Sequence, residues 1–123
     1  MIRVLLIESH ELVRQALASR LTNSARIDVV GSTGYYEHAV QQARALHPDI
    51  ILLEIKTPVG LETLRALHQT VPESTIVVLT SYLDTREEER AYALGAARYL
   101  LKTLNTAELI HQICHLALEQ VPA

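Results

Sequence analysis

Apolar residues along this chain fall in short dense runs, and longer amphipathic stretches separate them. Five runs read as strands: Arg3–Ile7, Asp28–Ser32, Ile50–Ile55, Ile76–Leu79 and Arg98–Leu101. Several are rich in β-branched residues. The first, third and fourth are apolar on both faces, which suits central parallel strands covered by helices on each side. The stretches between them read as helices. Glu11–Leu21 places Leu12, Val13, Ala16, Leu17 and Leu21 on one face. Tyr36–Leu46 stops before His47-Pro48, because the residue ahead of a proline is pushed out of the helical region. Leu61–Thr70 ends shortly before Pro72. Thr85–Leu94 carries a densely charged face and stops at Gly95, a candidate C′ glycine. The last helix begins near Asn105, with Glu108 three residues on as in a capping box. Its apolar face holds Leu109, Ile110, Ile113 and Leu116/Ala117.

Strand and helix alternate without a break across short connections, which predicts an α/β doubly wound parallel sheet in one domain over residues 1–123. Composition agrees: 49% hydrophobic and 20% charged residues suit a globular domain with a real core. With no Trp or Phe, that core is filled by Leu, Ile, Val and Ala, and the five Tyr are the only aromatics. Eleven basic and 14 acidic residues give a formal charge of -3, which argues against direct nucleic-acid binding by this domain. The single cysteine, Cys114, excludes an internal disulfide and a cysteine-based zinc site, and its apolar surroundings read as core. The start, "MIRVLLIESH", lacks the cleavage region of a signal peptide and the length of a membrane span. The expected setting is cytoplasmic, with no membrane partner. The tail "ALEQVPA" reads as the start of a linker to a further domain.

In open parallel sheets, ligands bind outside the carboxyl ends of the strands. The first run ends in Glu8-Ser9-His10, the third in Glu54-Ile55-Lys56, the fourth in Thr80-Ser81 and the fifth in Lys102-Thr103. Two carboxylates, a hydroxyl and an ammonium on one edge suggest a site for a cation or a phosphoryl group. Other motifs read more plainly. "GSTGYY" at Gly31–Tyr36 follows the second strand and lacks a P-loop lysine, so it reads as a strand–helix turn. His111 and His115 lie i, i+4 with no evident third ligand and read as surface or partly buried histidines. His10 either flanks the pocket or starts a helix. The run Asp84-Thr85-Arg86-Glu87-Glu88-Glu89-Arg90 reads as a solvated helix face, with an interface role as the alternative.

The strings "RVLLIESHELVRQAL", "HPDIILLEIKTP", "STIVVLTSY" and "ALGAARYLLKTLNTAELIHQI", in this order and spacing, resemble the receiver domains of two-component response regulators. The wording is closest to receivers that precede a LuxR-type DNA-binding domain. The resemblance covers nearly the whole chain. It implies a CheY-like, flavodoxin-like strand order of 2-1-3-4-5. It also implies partners: a histidine kinase, an attached output domain and a homodimer mate. Carried over by position, Glu8 and Ser9 fill the acidic pair that helps hold Mg²⁺, and Glu54 fills the phosphoacceptor position. The resemblance further implies that Lys56 offers its backbone carbonyl to the metal, that Thr80 and Lys102 contact the phosphoryl group, and that Tyr99 is the switch aromatic, which turns inward on activation.

Three departures set this site apart. The acceptor position holds glutamate, whose extra methylene moves the carboxylate by up to about 1.5 Å. Mg²⁺ wants octahedral ligands at roughly 2.0–2.1 Å, and in-line phosphoryl transfer depends on the same positioning. Ser9 replaces the second acid. The loop reads Pro58-Val59-Gly60-Leu61, shorter than the usual receiver loop. The sequence therefore predicts a pseudo-receiver in which phosphorylation at Glu54 is lost or much weakened and no cofactor is retained beyond weak Mg²⁺ binding. The candidate metal ligands are Glu8, Glu54 and the Lys56 backbone, and no catalytic residue is expected. A Glu54–Lys102 ion pair at about 4 Å, worth roughly 4 kcal/mol of Coulomb energy at an effective dielectric of 20 before desolvation, would hold the site without a metal. One alternative is a phosphorylated receiver that uses Ser9, Thr57, Thr80 or Ser81. Another is a small-molecule-binding flavodoxin-like domain, against which "ESHE" counts, having no glycine and two carboxylates that repel phosphate.

Overall fold

The computed structural model describes residues 1–56 and 58–119. Thr57, one of the alternative acceptors, and the end of the tail from Gln120 onward lie outside the described residues.

The chain alternates strictly: β1 (Ile2–Ile7), α1 (Glu11–Thr22), β2 (Ile27–Thr33), α2 (Tyr36–Leu46), β3 (Ile50–Glu54), α3 (Val59–Thr70), β4 (Thr75–Thr80), α4 (Thr85–Ala93), β5 (Ala96–Leu101) and α5 (Thr106–Glu119). The strands form one sheet in the order β2-β1-β3-β4-β5, and every pair is parallel. The runs that are apolar on both faces, β1, β3 and β4, take the three central places, as double coverage by helices requires.

Successive strand residues point to opposite faces, so the core has two layers. Leu5, Ile7, Ile51, Leu53, Ile76 and Val78 meet α2, α3 and α4 on one side. Val4, Leu6, Ile50, Leu52, Val77 and Leu79 meet α1 and α5 on the other. Each fully buried Leu or Ile contributes roughly 1.5–3 kcal/mol, so the central strands hold the sheet and fix its edge.

Register then sets the site. Ile7 lies opposite Leu53, Glu54 opposite Leu79 and Thr80 opposite Leu101. The carboxyl ends of four strands therefore finish at one level, and Glu8, Glu54, Thr80 and Lys102 share that edge.

Local details refine the sequence reading. α3 begins at Val59, ahead of the expected Leu61, so Gly60 lies in its first turn. Gly60 is needed there, since a Cβ would come 2.7 Å from the Ile55 Cα. On α1, Leu17 and Leu21 are buried, whereas Leu12 is 71% exposed and Ala16 is exposed. The expected face was too wide: Val13, Leu17 and Leu21 follow a spacing of four, and Leu12 falls well off that line. Gly95 follows the α4 C-cap Leu94 with φ +118°, the conformation that favours glycine. Asn105 caps α5 by accepting from the Glu108 N–H at 2.8 Å. Cys114 is buried.

Candidate functional site

Glu8 and Glu54 are only 2% and 3% exposed, so both carboxyls need partners to be tolerated there. Ser9 supplies Glu54 with two donors. Its N–H reaches Glu54 Oε2 at 2.7 Å, and its hydroxyl lies 2.9 Å from Oε2 and 3.2 Å from Oε1. Lys102 Nζ lies 2.6 Å from Glu8 Oε1 and 3.5 Å from Glu54 Oε1. The expected Glu54–Lys102 contact is present, but Glu8 is the closer partner of that ammonium. Glu8 Oε2 also accepts the His10 N–H at 3.1 Å. Lys56 Nζ stands 4.0 Å from Glu54 Oε1 on a largely exposed side chain and adds little. Among the described residues, no buried side-chain nitrogen or oxygen lacks a hydrogen-bond partner.

The two carboxyls are not equivalent. Burial pushes Glu54 up, but hydrogen bonding from Glu8, from the Ser9 N–H and from the Ser9 hydroxyl, with the Lys102 charge, outweighs it and holds Glu54 at about 2. Burial pushes Glu8 up, and the neighbouring Glu54 adds to that, against opposition from Lys102 and the His10 N–H. Glu54 is the better-stabilised anion, and Glu8 is where a proton returns first. The pair titrates as a unit.

Two further residues brace this cluster without any signal in the sequence. The Tyr36 hydroxyl, from the first turn of α2, donates to the Glu54 carbonyl at 2.9 Å. Burial, then the charges of Glu54 and Glu8, push the Tyr36 phenol up, so it stays a donor. The Arg14 guanidinium donates to the Glu8 carbonyl at 2.9 Å.

Thr80 reaches the same edge and is buried, yet its hydroxyl hydrogen bonds elsewhere: Tyr82 O lies at 3.0 Å and Glu87 Oε1 at 3.2 Å. Tyr99 is 5% exposed and lies inward, its hydroxyl donating to Glu87 Oε1 at 2.6 Å. The edge is thus divided into a carboxylate cluster (Glu8, Ser9, Glu54, Lys102) and a hydroxyl cluster (Thr80, Tyr99, Glu87). Glu87 was hidden in a charged run that reads as solvated.

As arranged, the site offers Mg²⁺ oxygens that already have other partners. Such an ion needs about six oxygens at close range. Glu8 Oε1 faces an ammonium, both Glu54 oxygens accept from Ser9, and the Lys56 carbonyl accepts the Gly60 N–H. Among the described residues, no group of three or more His, Cys, Asp or Glu is placed to hold a metal.

His10 fits both of its readings: it caps α1, its Nδ1 3.4 Å from the Val13 N–H, and its own N–H borders the site on Glu8. The remaining motifs take their plainer readings. His111 is exposed, and His115 pairs with Glu119 on the surface at 3.1 Å. Gly31–Tyr36 is the end of β2 and the turn into α2.

Comparison with known proteins places this geometry in context. A model of the response regulator receiver domain matches residues 4–114. The response regulator protein VraR of Staphylococcus saprophyticus is 33% identical over 114 residues, covering 91% of this chain and 54% of that protein. The transcriptional regulatory protein LiaR of Bacillus subtilis is 36% identical over 115 residues, covering 92% and 54%. The chain spans about half the length of the curated relatives it matches. The receiver domain of the putative response regulator NarL of Mycobacterium tuberculosis superposes with a TM-score of 0.87 at 24% identity, covering 94% of this chain and 95% of that one. The response regulator domain of Thermotoga maritima CheB gives a TM-score of 0.86 at 22% identity, covering 100% and 99%. These two structures speak for the fold alone. No helix among the described residues is long and apolar enough to cross a membrane. With the family model spanning nearly all of its strands and helices, and relatives above 30% identity along most of its length, this chain belongs to the response regulator receiver family, as the receiver domain of a two-component response regulator.

Proposed function

We propose that this receiver is a pseudo-receiver: it signals through protein contacts, and Glu54 serves as a fixed charge instead of a phosphoacceptor. The observation that carries this reading is the closed network of Glu8, Ser9, Glu54 and Lys102. In-line phosphoryl transfer needs an acceptor oxygen free to attack and a cation to neutralise the incoming group. Here both Glu54 oxygens accept from Ser9, and the nearest cation, Lys102, is already engaged with Glu8. Ser9 supports Glu54 as a donor where a second acid would bind metal, so Mg²⁺ affinity is weak or absent. The carboxylate and ammonium together provide the charge pattern that a phosphoryl group and metal would otherwise bring. Tyr99 inward is consistent with a single preset state.

The domain works in the cytoplasm, alongside an attached output domain that regulates transcription, with a histidine kinase and a second copy of the chain as further partners. It has no catalytic residue and no direct contact with nucleic acid. The test is incubation with a small-molecule phosphodonor, or with beryllofluoride, in the presence of Mg²⁺. Intact mass should stay unchanged, and amide NMR shifts around Glu54 should not move. Saturable modification mapped to Glu54 would sink the reading, and label mapped to Ser9, Thr57, Thr80 or Ser81 would replace it with a receiver that uses another acceptor.

A further inference from the structure

One member of the charged run at the start of α4 faces inward. Glu87 Oε1 accepts the Tyr99 hydroxyl at 2.6 Å and lies 3.2 Å from the Thr80 hydroxyl. The Asp84 N–H donates to the Tyr99 oxygen at 3.2 Å, and the Asp84 carboxylate caps the Glu87 N–H at 2.9 Å. One short segment, Asp84 to Glu87, therefore closes around one buried phenol. Strand β5 supplies the phenol, β4 supplies Thr80, and α4 supplies the clasp. A hydroxyl donating to a carboxylate at this length makes a charge-assisted bond, roughly twice as strong as a neutral one. Burial, and then Glu87, push the Tyr99 phenol up to about 12, so it remains the donor across the ordinary pH range.

Little else holds α4. Of its nine residues only Ala91 is buried, whereas α3 buries Gly60, Leu61, Thr63, Leu64 and Leu67. Elements with few buried apolar contacts open most readily, so the polar ties at the start of α4 decide where it sits.

We propose that Glu87 is a latch that keeps Tyr99 inward and pins the first turn of α4 to β4 and β5, so that the α4–β5 surface is set by the chain's own carboxylate. The same oxygen competes for the Thr80 hydroxyl, which makes no hydrogen bond to Glu8 or Glu54. This goes beyond the reading of Glu54 as a fixed charge. The latch stands or falls on Tyr99 and α4, whatever happens at Glu54.

The chain has five tyrosines, so incorporating 3-fluorotyrosine gives five ¹⁹F signals, and Tyr99→Phe removes and thereby assigns one. Glu87→Ala should shift the Tyr99 signal and leave those of Tyr35 and Tyr36 in place. It should also speed amide exchange in the first turn of α4 by about ten-fold or more, the loss of roughly one charge-assisted bond. Glu87→Gln, which keeps a neutral acceptor, should fall between. In the Tyr99→Phe background, Glu87→Ala should add little further acceleration, because the two groups act as one unit. The latch is overturned if Glu87→Ala leaves the Tyr99 signal and α4 exchange unchanged, or if the two substitutions accelerate exchange independently. Should Glu87→Ala fail to fold, Glu87→Gln and Tyr99→Phe decide alone: unchanged α4 exchange in both rejects it.

Discussion

Glu8 and then two donors from Ser9 hold the Glu54 carboxyl low, and part of the acid stability of the domain follows from that. A carboxyl held low in the fold stabilises it above its ordinary pKa, and that contribution is lost as pH falls through the folded value. For Glu54 the window runs from the ordinary value of 4.5 down to about 2. Ser9→Ala removes the hydroxyl and keeps the N–H. It should cost about 1 kcal/mol at pH 7 in urea unfolding and move the acid loss to higher pH. An unchanged acid midpoint would show that the hydroxyl does not hold the charge. Lys102→Met is the harsher change, because it leaves two buried carboxyls without their ammonium. It should destabilise by roughly 3 kcal/mol at neutral pH, the low end for a broken buried pair since Lys102 is partly exposed. Its pH dependence has the same sign as that of Ser9→Ala, because both changes remove groups that favour the ionised carboxylates. Without the ammonium both carboxyls are raised, so the deficit should be small near pH 5 and grow as pH rises. Equal losses at pH 5 and pH 8 would refute this account. At this scale the sequence was only half legible. The residues meeting at the edge could be read from the strand ends, and so could a Glu54–Lys102 pair. That Lys102 sits closer to Glu8 could not, because it depends on side-chain reach across β1, β3 and β5. Glu87 was illegible for a similar reason: spacing on α4 does not reveal a phenol arriving from β5.

Elements were far more legible, because period and punctuation act locally. Every strand and helix lies where hydrophobic runs, prolines and Gly95 put it, with shifts of one or two residues at the ends. The start of α3 is the informative miss. No capping side chain announces it, and Pro58 occupies the cap without a side-chain hydrogen bond. What carries the early turn is the close approach of Gly60 to Ile55, immediately after Glu54. Gly60→Ala is therefore expected to cost about 2 kcal/mol or more, since its Cβ would press on the Ile55 backbone, which cannot rotate away. The damage should appear in the site as well as in stability: amide shifts at Ser9 and Glu54 should move together with those of Ile55. A change confined to α3 would separate this turn from the carboxylate cluster. α1 makes the complementary point. Its expected face was too wide because five apolar residues in one turn-rich stretch leave the choice of stripe to the packing partner, here Ile27 and the β1 side of the sheet.

At the scale of the whole molecule, a ligand that binds only the folded state raises its stability by RT ln(1 + [L]/Kd), so metal binding can be read from unfolding of the entire domain. The native chain should unfold at the same temperature with and without Mg²⁺, because Ser9 and Lys102 already occupy the faces of Glu54 and Glu8 that a metal would use. Replacing both departures at once, with Ser9→Asp and Glu54→Asp, shortens the acceptor by a methylene and restores a charged second acid. The β1 and β3 scaffold stays fixed, because register and a fully buried core set the level of the edge. The double variant should show an Mg²⁺-dependent rise: at ten times Kd the linkage gives about 1.4 kcal/mol, or roughly 5 °C for a domain of this size. It should also be less stable than the native chain in the absence of metal, since three carboxylates would then share one ammonium. If the double variant gains no Mg²⁺ response while remaining folded, the obstacle lies in the turn from Lys56 to Gly60, where the Gly60 N–H fixes the direction of the Lys56 carbonyl.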